Sequence, residues 1–239
     1  MAHGNLGNLY FNEERYDEAI EAYQKVIEID PKQVAACNNL GNVYAKQEKH
    51  DEAIEAYQKV IEIDPEQVVV YSNLGDAYSE QEKHDEAIEA YQKVIEIDPK
   101  QVAACNNLGN VYAKQEKYNE AIEAYQKVVE IDSDQTSTLY NLGNVYVKQE
   151  RHDEAIEAYQ KVIEIDPKQV AAYNNLGNVY AKQERYNEAI EVYQKTIELN
   201  PEQIAEYNNL IDKYKRISQN KIKKNPLIFF RKLFGVFRK

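Results

Sequence analysis

Residues 34–67 read VAACNNLGNVYAKQEKHDEAIEAYQKVIEIDPEQ, and almost every other part of the chain is a variation on this stretch. Gly7, Gly41, Gly75, Gly109, Gly143 and Gly177 stand 34 residues apart, as do Pro31, Pro65 and Pro99, and again Pro167 and Pro201. A fixed period of this size marks an array of stacked units, each able to bury its apolar face only against its neighbours.

With the glycine counted as position 8 of each unit, positions 4, 7, 8 and 11 share one face of a helix. In the unit at Val34 these are Cys37, Leu40, Gly41 and Tyr44. After the polar break QEKH, a second stripe runs through Ala53, Tyr57, Val60 and Ile61, so each unit is expected to be a pair of short amphipathic helices. Asp51, Asp85 and Asp153, with Asn119 and Asn187 in the same slot, are the expected N-caps of the second helix. The proline near the end of each unit closes that helix by restricting the residue before it. A glycine inside the first helix costs about 1 kcal/mol of propensity; the expected compensation is a close approach of the partner helix, which a side chain would block.

The 34-residue spacing, taken with Leu40, Gly41, Tyr44, Ala53, Tyr57 and Pro65, resembles the tetratricopeptide repeat (TPR) family over about residues 1–219. The departure is position 4, where His3, Cys37, Tyr71, Cys105, Leu139 and Tyr173 take the place of tryptophan. The expected fold is all-α: a right-handed α-solenoid of six helix-turn-helix units over residues 1–203, then a capping helix over 204–219. Tyr207, Leu210 and Tyr214 repeat the first-helix pattern there, with Ile211 in place of the glycine. At the amino end, Leu6, Leu9 and Tyr10 are expected on an exposed or self-associating face. Where the fifth unit begins, Ser133 replaces the recurring proline and Thr136, Ser137 and Thr138 open the helix, weakening a boundary without destroying the period.

The net charge of −12 conceals an asymmetry. From Lys213 onward there are ten Lys or Arg and no acid, so the preceding residues carry 19 basic against 41 acidic side chains, near −22. An acidic body argues against nucleic acid as a partner, because phosphate binding depends on Lys and Arg. No signal-like opening and no run of about 18 apolar residues is present, which points to a cytoplasmic protein. Cys37 and Cys105 lie about four helix layers apart, beyond disulfide reach.

No catalytic constellation emerges, and an enzyme, a metal or a cofactor is not expected. His50, His84 and His152 occupy position 17, where other units have Tyr16, Tyr118 and Tyr186, so a packing aromatic at the inter-helix turn is the natural reading. The carboxylates of DEAIEA are periodic charges of a solvated face, and the glycines are isolated rather than gathered into a phosphate loop.

The informative set is polar and lies on the first helices. Positions 6, 9 and 13 form one stripe: Asn39, Asn42 and Lys46; Asn107, Asn110 and Lys114; Asn141, Asn144 and Lys148; Asn175, Asn178 and Lys182. Asn38, Asn106 and Asn174 widen it at position 5, where the fifth unit has Tyr140, either a contact for a ligand side chain or a packing residue. The third unit keeps Asn73 but carries Asp76 and Glu80, an acidic spot suited to a ligand Lys or Arg, or paired with Lys46 or Lys114. Asn is a poor helix former, so a merely solvated face would use Glu, Lys or Ala instead. Its amide offers the donors and acceptor that match an extended peptide backbone. Repeat duplication, or amides bonding across neighbouring units, would leave the same pattern.

In the TPR family these positions line the concave surface, and the ladder looks like the superhelical repeats of O-linked N-acetylglucosamine transferases, whose catalytic part is absent. The family's clamp for C-terminal carboxylates is matched only at asparagines such as Asn42 and Asn73; its basic positions fall on Asn38, Ala103 and Asn107. The resemblance therefore implies a protein or peptide partner held in a groove. Residues 220–239 form a basic tail with four of the five phenylalanines; on a helix, Leu227, Phe230, Phe234 and Phe237 would share one side. Such a tail suggests contact with an anionic membrane, with partial apolar burial adding to basic attraction. Disorder, or folding back over Ile211, are its alternatives.

Overall fold

A computed structural model describes residues 2–224; the tail positions Leu227, Phe230, Phe234 and Phe237 lie outside the described residues. The chain divides into two compact units, Met1–Asp132 and Ser133–Lys239. The first holds four helical hairpins: α1 (Ala2–Asn12) with α2 (Tyr16–Ile29), α3 (Val34–Lys46) with α4 (His50–Ile63), α5 (Val68–Glu80) with α6 (His84–Ile97), and α7 (Val102–Lys114) with α8 (Tyr118–Ile131). The second holds α9 (Thr136–Lys148) with α10 (His152–Ile165) and α11 (Val170–Lys182) with α12 (Tyr186–Leu199). A short 3-10 turn (Pro201–Gln203) then leads into α13 (Ile204–Lys224). Among the described residues there is no strand, and the six glycine-centred periods are six hairpins of the TPR solenoid class.

Each hairpin closes around a tyrosine. Tyr23, Tyr57, Tyr91, Tyr125, Tyr159 and Tyr193, at position 24, are no more than 2% exposed. A Cβ built on Gly41 would meet Tyr57 Cε1 at 2.5 Å, and the equivalent distance is 2.6 Å for Gly75 against Tyr91. The glycine exists so that the ring can lie on the helix backbone, the close approach expected from the sequence. Ala19, Ala53, Ala87, Ala121, Ala155 and Ala189 at position 20 are fully buried beside it.

Packing between hairpins is carried by positions 7 and 10. Leu40 and Val43 join Ala19, Tyr23 and Ala56 in one cluster, and Val70, Leu74 and Ala77 join Cys37, Ala53 and Tyr57 in the next. Within each unit, successive odd helices touch (α1 with α3, α3 with α5, α9 with α11).

The turns are built differently from the expectation. Asp51, Asp85, Asp153, Asn119 and Asn187 are not N-caps: each lies inside the first turn of the second helix, whose capping position is a Lys or Arg without a side-chain cap bond, such as Lys49 or Arg151. Negative charge there still complements the helix dipole. Aspartate side chains bond the backbone instead at the far end of the second helix, before the prolines, where Asp64 accepts from the Glu66 N–H and Asp98 from the Lys100 N–H. Asp132 is as extended as Asp64 (φ −144° and −141°), so the turn forms at Ser133 without proline.

Between the two helices of each hairpin the chain makes a Schellman turn. Lys49 N–H donates to the Tyr44 carbonyl and Glu48 N–H to that of Ala45. The left-handed residue is Glu14, Glu48, Glu82, Glu116, Glu150 or Glu184, with φ of 57–60°. Glycine would take that conformation without strain.

At the amino end Leu6 and Leu9 are 38% and 52% exposed; Tyr10, expected with them, is half-buried under the Arg15 guanidinium. At the carboxyl end α13 packs on α12, burying Tyr207 and Ile211, and Tyr214 stacks on Tyr186 at 5.3 Å. It continues to Lys224, five residues past the expected end.

Two stability measurements check this account. A methyl group added at Gly4 would enter open space, while one added at Gly41 would run into a tyrosine ring. Gly4→Ala is therefore expected to stabilise by up to about 1 kcal/mol, and Gly41→Ala to destabilise by about 1–2 kcal/mol as overpacking exceeds the propensity gain; equal signs in urea melts would contradict the ring contact. Glu48→Gly is expected to raise the urea midpoint by the equivalent of roughly 0.5–1 kcal/mol, since relief of left-handed strain exceeds glycine's unfolded-state entropy.

Candidate functional site

The polar stripe predicted from the sequence lies on the odd helices, and its first role is visible in its hydrogen bonds. At each hairpin the position-24 hydroxyl donates to Oδ1 at position 9: Tyr57 to Asn42 (2.8 Å), Tyr125 to Asn110 (2.7 Å), Tyr159 to Asn144 (2.7 Å) and Tyr193 to Asn178 (2.8 Å). The same Oδ1 accepts from position 6 of the following hairpin: Asn73 Nδ2 to Asn42 at 3.0 Å, and Asn175 Nδ2 to Asn144 at 2.9 Å. Asn39 does the same toward Asn8. The three groups form a clip that fastens helix to helix and hairpin to hairpin.

Asp76 takes the asparagine's place without disturbing the clip. Its Oδ1 accepts from the Tyr91 hydroxyl at 2.6 Å and from Asn107 Nδ2 at 3.0 Å. Burial pushes the Tyr57, Tyr91, Tyr125, Tyr159 and Tyr193 phenols well above their ordinary value, and the Asp76 carboxylate pushes Tyr91 further. These hydroxyls stay protonated and act as fixed donors.

Position 5 plays a different part. Asn38 and Asn174 each keep a buried Oδ1 without a partner, and Asn106 is engaged. Tyr140 packs its ring against Tyr159 at 5.9 Å and accepts from Asn175 at 3.1 Å, so it is a framework residue as much as a surface one. Lys114 and Asn141 lie on the same stripe of α7 and α9, and Asn141 is engaged.

The structure gathers ten of the predicted residues into two hollows, one in each unit. In the first unit a hollow of about 520 Å³ is lined by Asn42, Lys46, Asn73, Asp76 and Glu80, with Phe11, His50 and Tyr57. In the second a hollow of about 690 Å³ is lined by Asn144, Lys148, Asn175, Asn178 and Lys182, with Val147, Tyr159 and Tyr214. The position-17 rings are half-buried at the turns; Tyr16 packs on Phe11 and Tyr186 on Tyr214, as a packing aromatic should. Among the described residues no group of three or more His, Cys, Asp or Glu is placed to hold a metal ion. Cys37 and Cys105 are free and buried, and burial pushes their thiols up, away from thiolate chemistry. No helix of the described residues is long and apolar enough to cross a membrane.

Sequence reasoning missed two further links between hairpins. Gln47, Gln81, Gln115 and Gln183 donate from Nε2 to Asp17, Asp51, Asp85 and Asp153 at 2.7–3.0 Å. Gln58 and Gln92 donate to the Tyr78 and Tyr112 hydroxyls at 3.2 and 3.0 Å. Their constant recurrence in the period was the available signal.

Comparison with known proteins agrees with this geometry. A TPR repeat model matches residues 7–48, 109–150 and 143–184, and tetratricopeptide repeat models match residues 33–100, 90–123 and 170–203. No curated protein matches the chain. Among solved structures it is similar to MamA (30% identity, TM-score 0.66, 70% of this chain and 97% of that one). It is also similar to YrrB, described as a TPR protein with an unusual peptide-binding site (25% identity, TM-score 0.69, 82% and 99%). The C-terminal part of a TPR repeat-containing protein from Cytophaga hutchinsonii shares the fold (20% identity, TM-score 0.80, 92% and 90%). With hairpins, clip and family models covering the same residues, the chain belongs to the tetratricopeptide repeat family of protein-interaction scaffolds.

Proposed function

We propose that the chain is a non-enzymatic scaffold that binds an extended segment of a partner protein along the odd-helix face of its units. The observation that carries this reading is the hydrogen-bonding capacity left over after the clip is made. Asn42 and Asn144 each accept two bonds on Oδ1 and make none through Nδ2. Asn73 and Asn175 donate through Nδ2 and leave Oδ1 unused. Each hollow thus offers a donor from position 9 beside an acceptor from position 6 of the next hairpin, and an extended backbone supplies the reverse pair in every residue. The peptide-binding site of YrrB, a structure of the same family, supports the reading.

Because the stripe also holds the framework, alanine at positions 6 or 9 would damage fold and site together. Asn144→Asp separates them: as Asp76 shows, a carboxylate keeps both clip bonds, yet it lacks the Nδ2 donor. An uncharged peptide selected from a displayed random decapeptide library is expected to bind Asn144→Asp about fivefold more weakly, the worth of one hydrogen bond of about 1 kcal/mol. The urea midpoint should be little changed. Unaltered affinity for every selected peptide, in this variant and in Asn42→Asp, would overturn the reading.

A further inference from the structure

The two hollows differ in charge. That of the first unit sets Lys46 beside Asp76 and Glu80. That of the second contains Lys148 and Lys182 and no carboxylate. The acidic side chains of this chain outnumber its basic ones by 41 to 29. Some of its Lys and Arg pair with carboxylates, as Lys93 does with Glu96 and Lys195 with Glu198. Among the described residues, Lys148 and Lys182 make no such pair. A lysine in the last turn of a helix complements the helix dipole, but Glu80 occupies the same position of α5, so the helix end does not require one.

Two of the three amides that line the hollow have the same polarity, while the third, Asn175, keeps its Oδ1 as an acceptor. The Oδ1 atoms of Asn144 and Asn178 are taken by the Tyr159 and Tyr193 hydroxyls, so these two residues offer the hollow their Nδ2 donors. Two lysines and two amide donors line the hollow, and no carboxylate is among its lining residues. A carboxylate, which only accepts hydrogen bonds, is the group this set fits. We propose that the hollow of the second unit receives the carboxylate of an aspartate or glutamate side chain in a bound peptide, whereas the first unit's hollow does not. This assignment rests on the peptide-binding reading above. It differs from recognition of a chain terminus, since the donors stand at positions 9 and 13 and any acidic side chain along a strand can reach them. The negative body opposes it weakly, because charges beyond about 8 Å are largely screened at physiological salt.

The test uses the full chain and three fluorescent decapeptides in which Ser alternates with Glu, Gln or Lys. By anisotropy at physiological salt, the Glu peptide is expected to bind about tenfold tighter than the Gln peptide, and high salt should remove the difference. Lys148→Gln with Lys182→Gln should bring the Glu peptide to the level of the Gln peptide, while Lys161→Gln, at an exposed lysine of α10 that lines neither hollow, leaves it unchanged. Urea melts of the variants establish that both remain folded. Equal binding of the Glu and Gln peptides, insensitive to the double substitution, overturns the charge assignment but leaves peptide binding standing. Loss on Lys161→Gln alone also overturns it, and failure of all three peptides to bind overturns both readings.

Discussion

The arrangement depends on one contact, the tyrosine ring laid on a glycine backbone. The ring needs the missing side chain at Gly41 or Gly109 to reach its place, and once there its hydroxyl emerges beside position 9 of the same hairpin. A hydrogen-bond acceptor is then required at that point, which Asn42 and Asn110 provide as amides and Asp76 as a carboxylate. A buried hydroxyl without an acceptor would lose about 1–3 kcal/mol. Hairpin closure thereby dictates which residue types can stand at position 9, and position 6 of the following hairpin is recruited to the same oxygen.

That coupling explains why the polar stripe is both framework and candidate site. A carboxamide has two ends, and the clip uses only one of them at each position. The end that remains is a donor at Asn42 and Asn144 and an acceptor at Asn73 and Asn175. Recognition built on these remnants has little dependence on the ligand's side chains, so discrimination is left to the charges at position 13 and to Asp76. The third hairpin carries Asp76 and Glu80 where its neighbours carry asparagine and lysine, and the framework does not need either change.

Much of this was legible in the sequence. The period gave the hairpins, the two apolar stripes gave their faces, and Gly41 announced a close approach because an interior glycine has no other use in a helix. The turns were not legible in the same way. Asp51 has the residue type of a cap but stands two positions too late, and the left-handed Glu48 has no local signature, since glycine or asparagine is the usual occupant. The hydroxyl clip was hidden for another reason: its partners are 15 and 31 residues apart, and their atoms meet only after two packing steps. Amides in poor helix positions signalled some polar task, but the sequence could not say how each amide divides its donor and acceptor between neighbour and ligand.

The links between hairpins join residues 20, 30 or 31 apart, and within each unit they connect one hairpin to the next. Residues 17–49 and 85–117 are identical in sequence, so the joints Gln47–Asp17 and Gln115–Asp85 are made of the same parts. Excision or insertion of one whole period rejoins matching surfaces, whereas removal of a few residues rotates every later side chain off its partner. The length of such a chain is therefore quantised, and recombination between its near-identical segments can lengthen or shorten the track while keeping each seam intact.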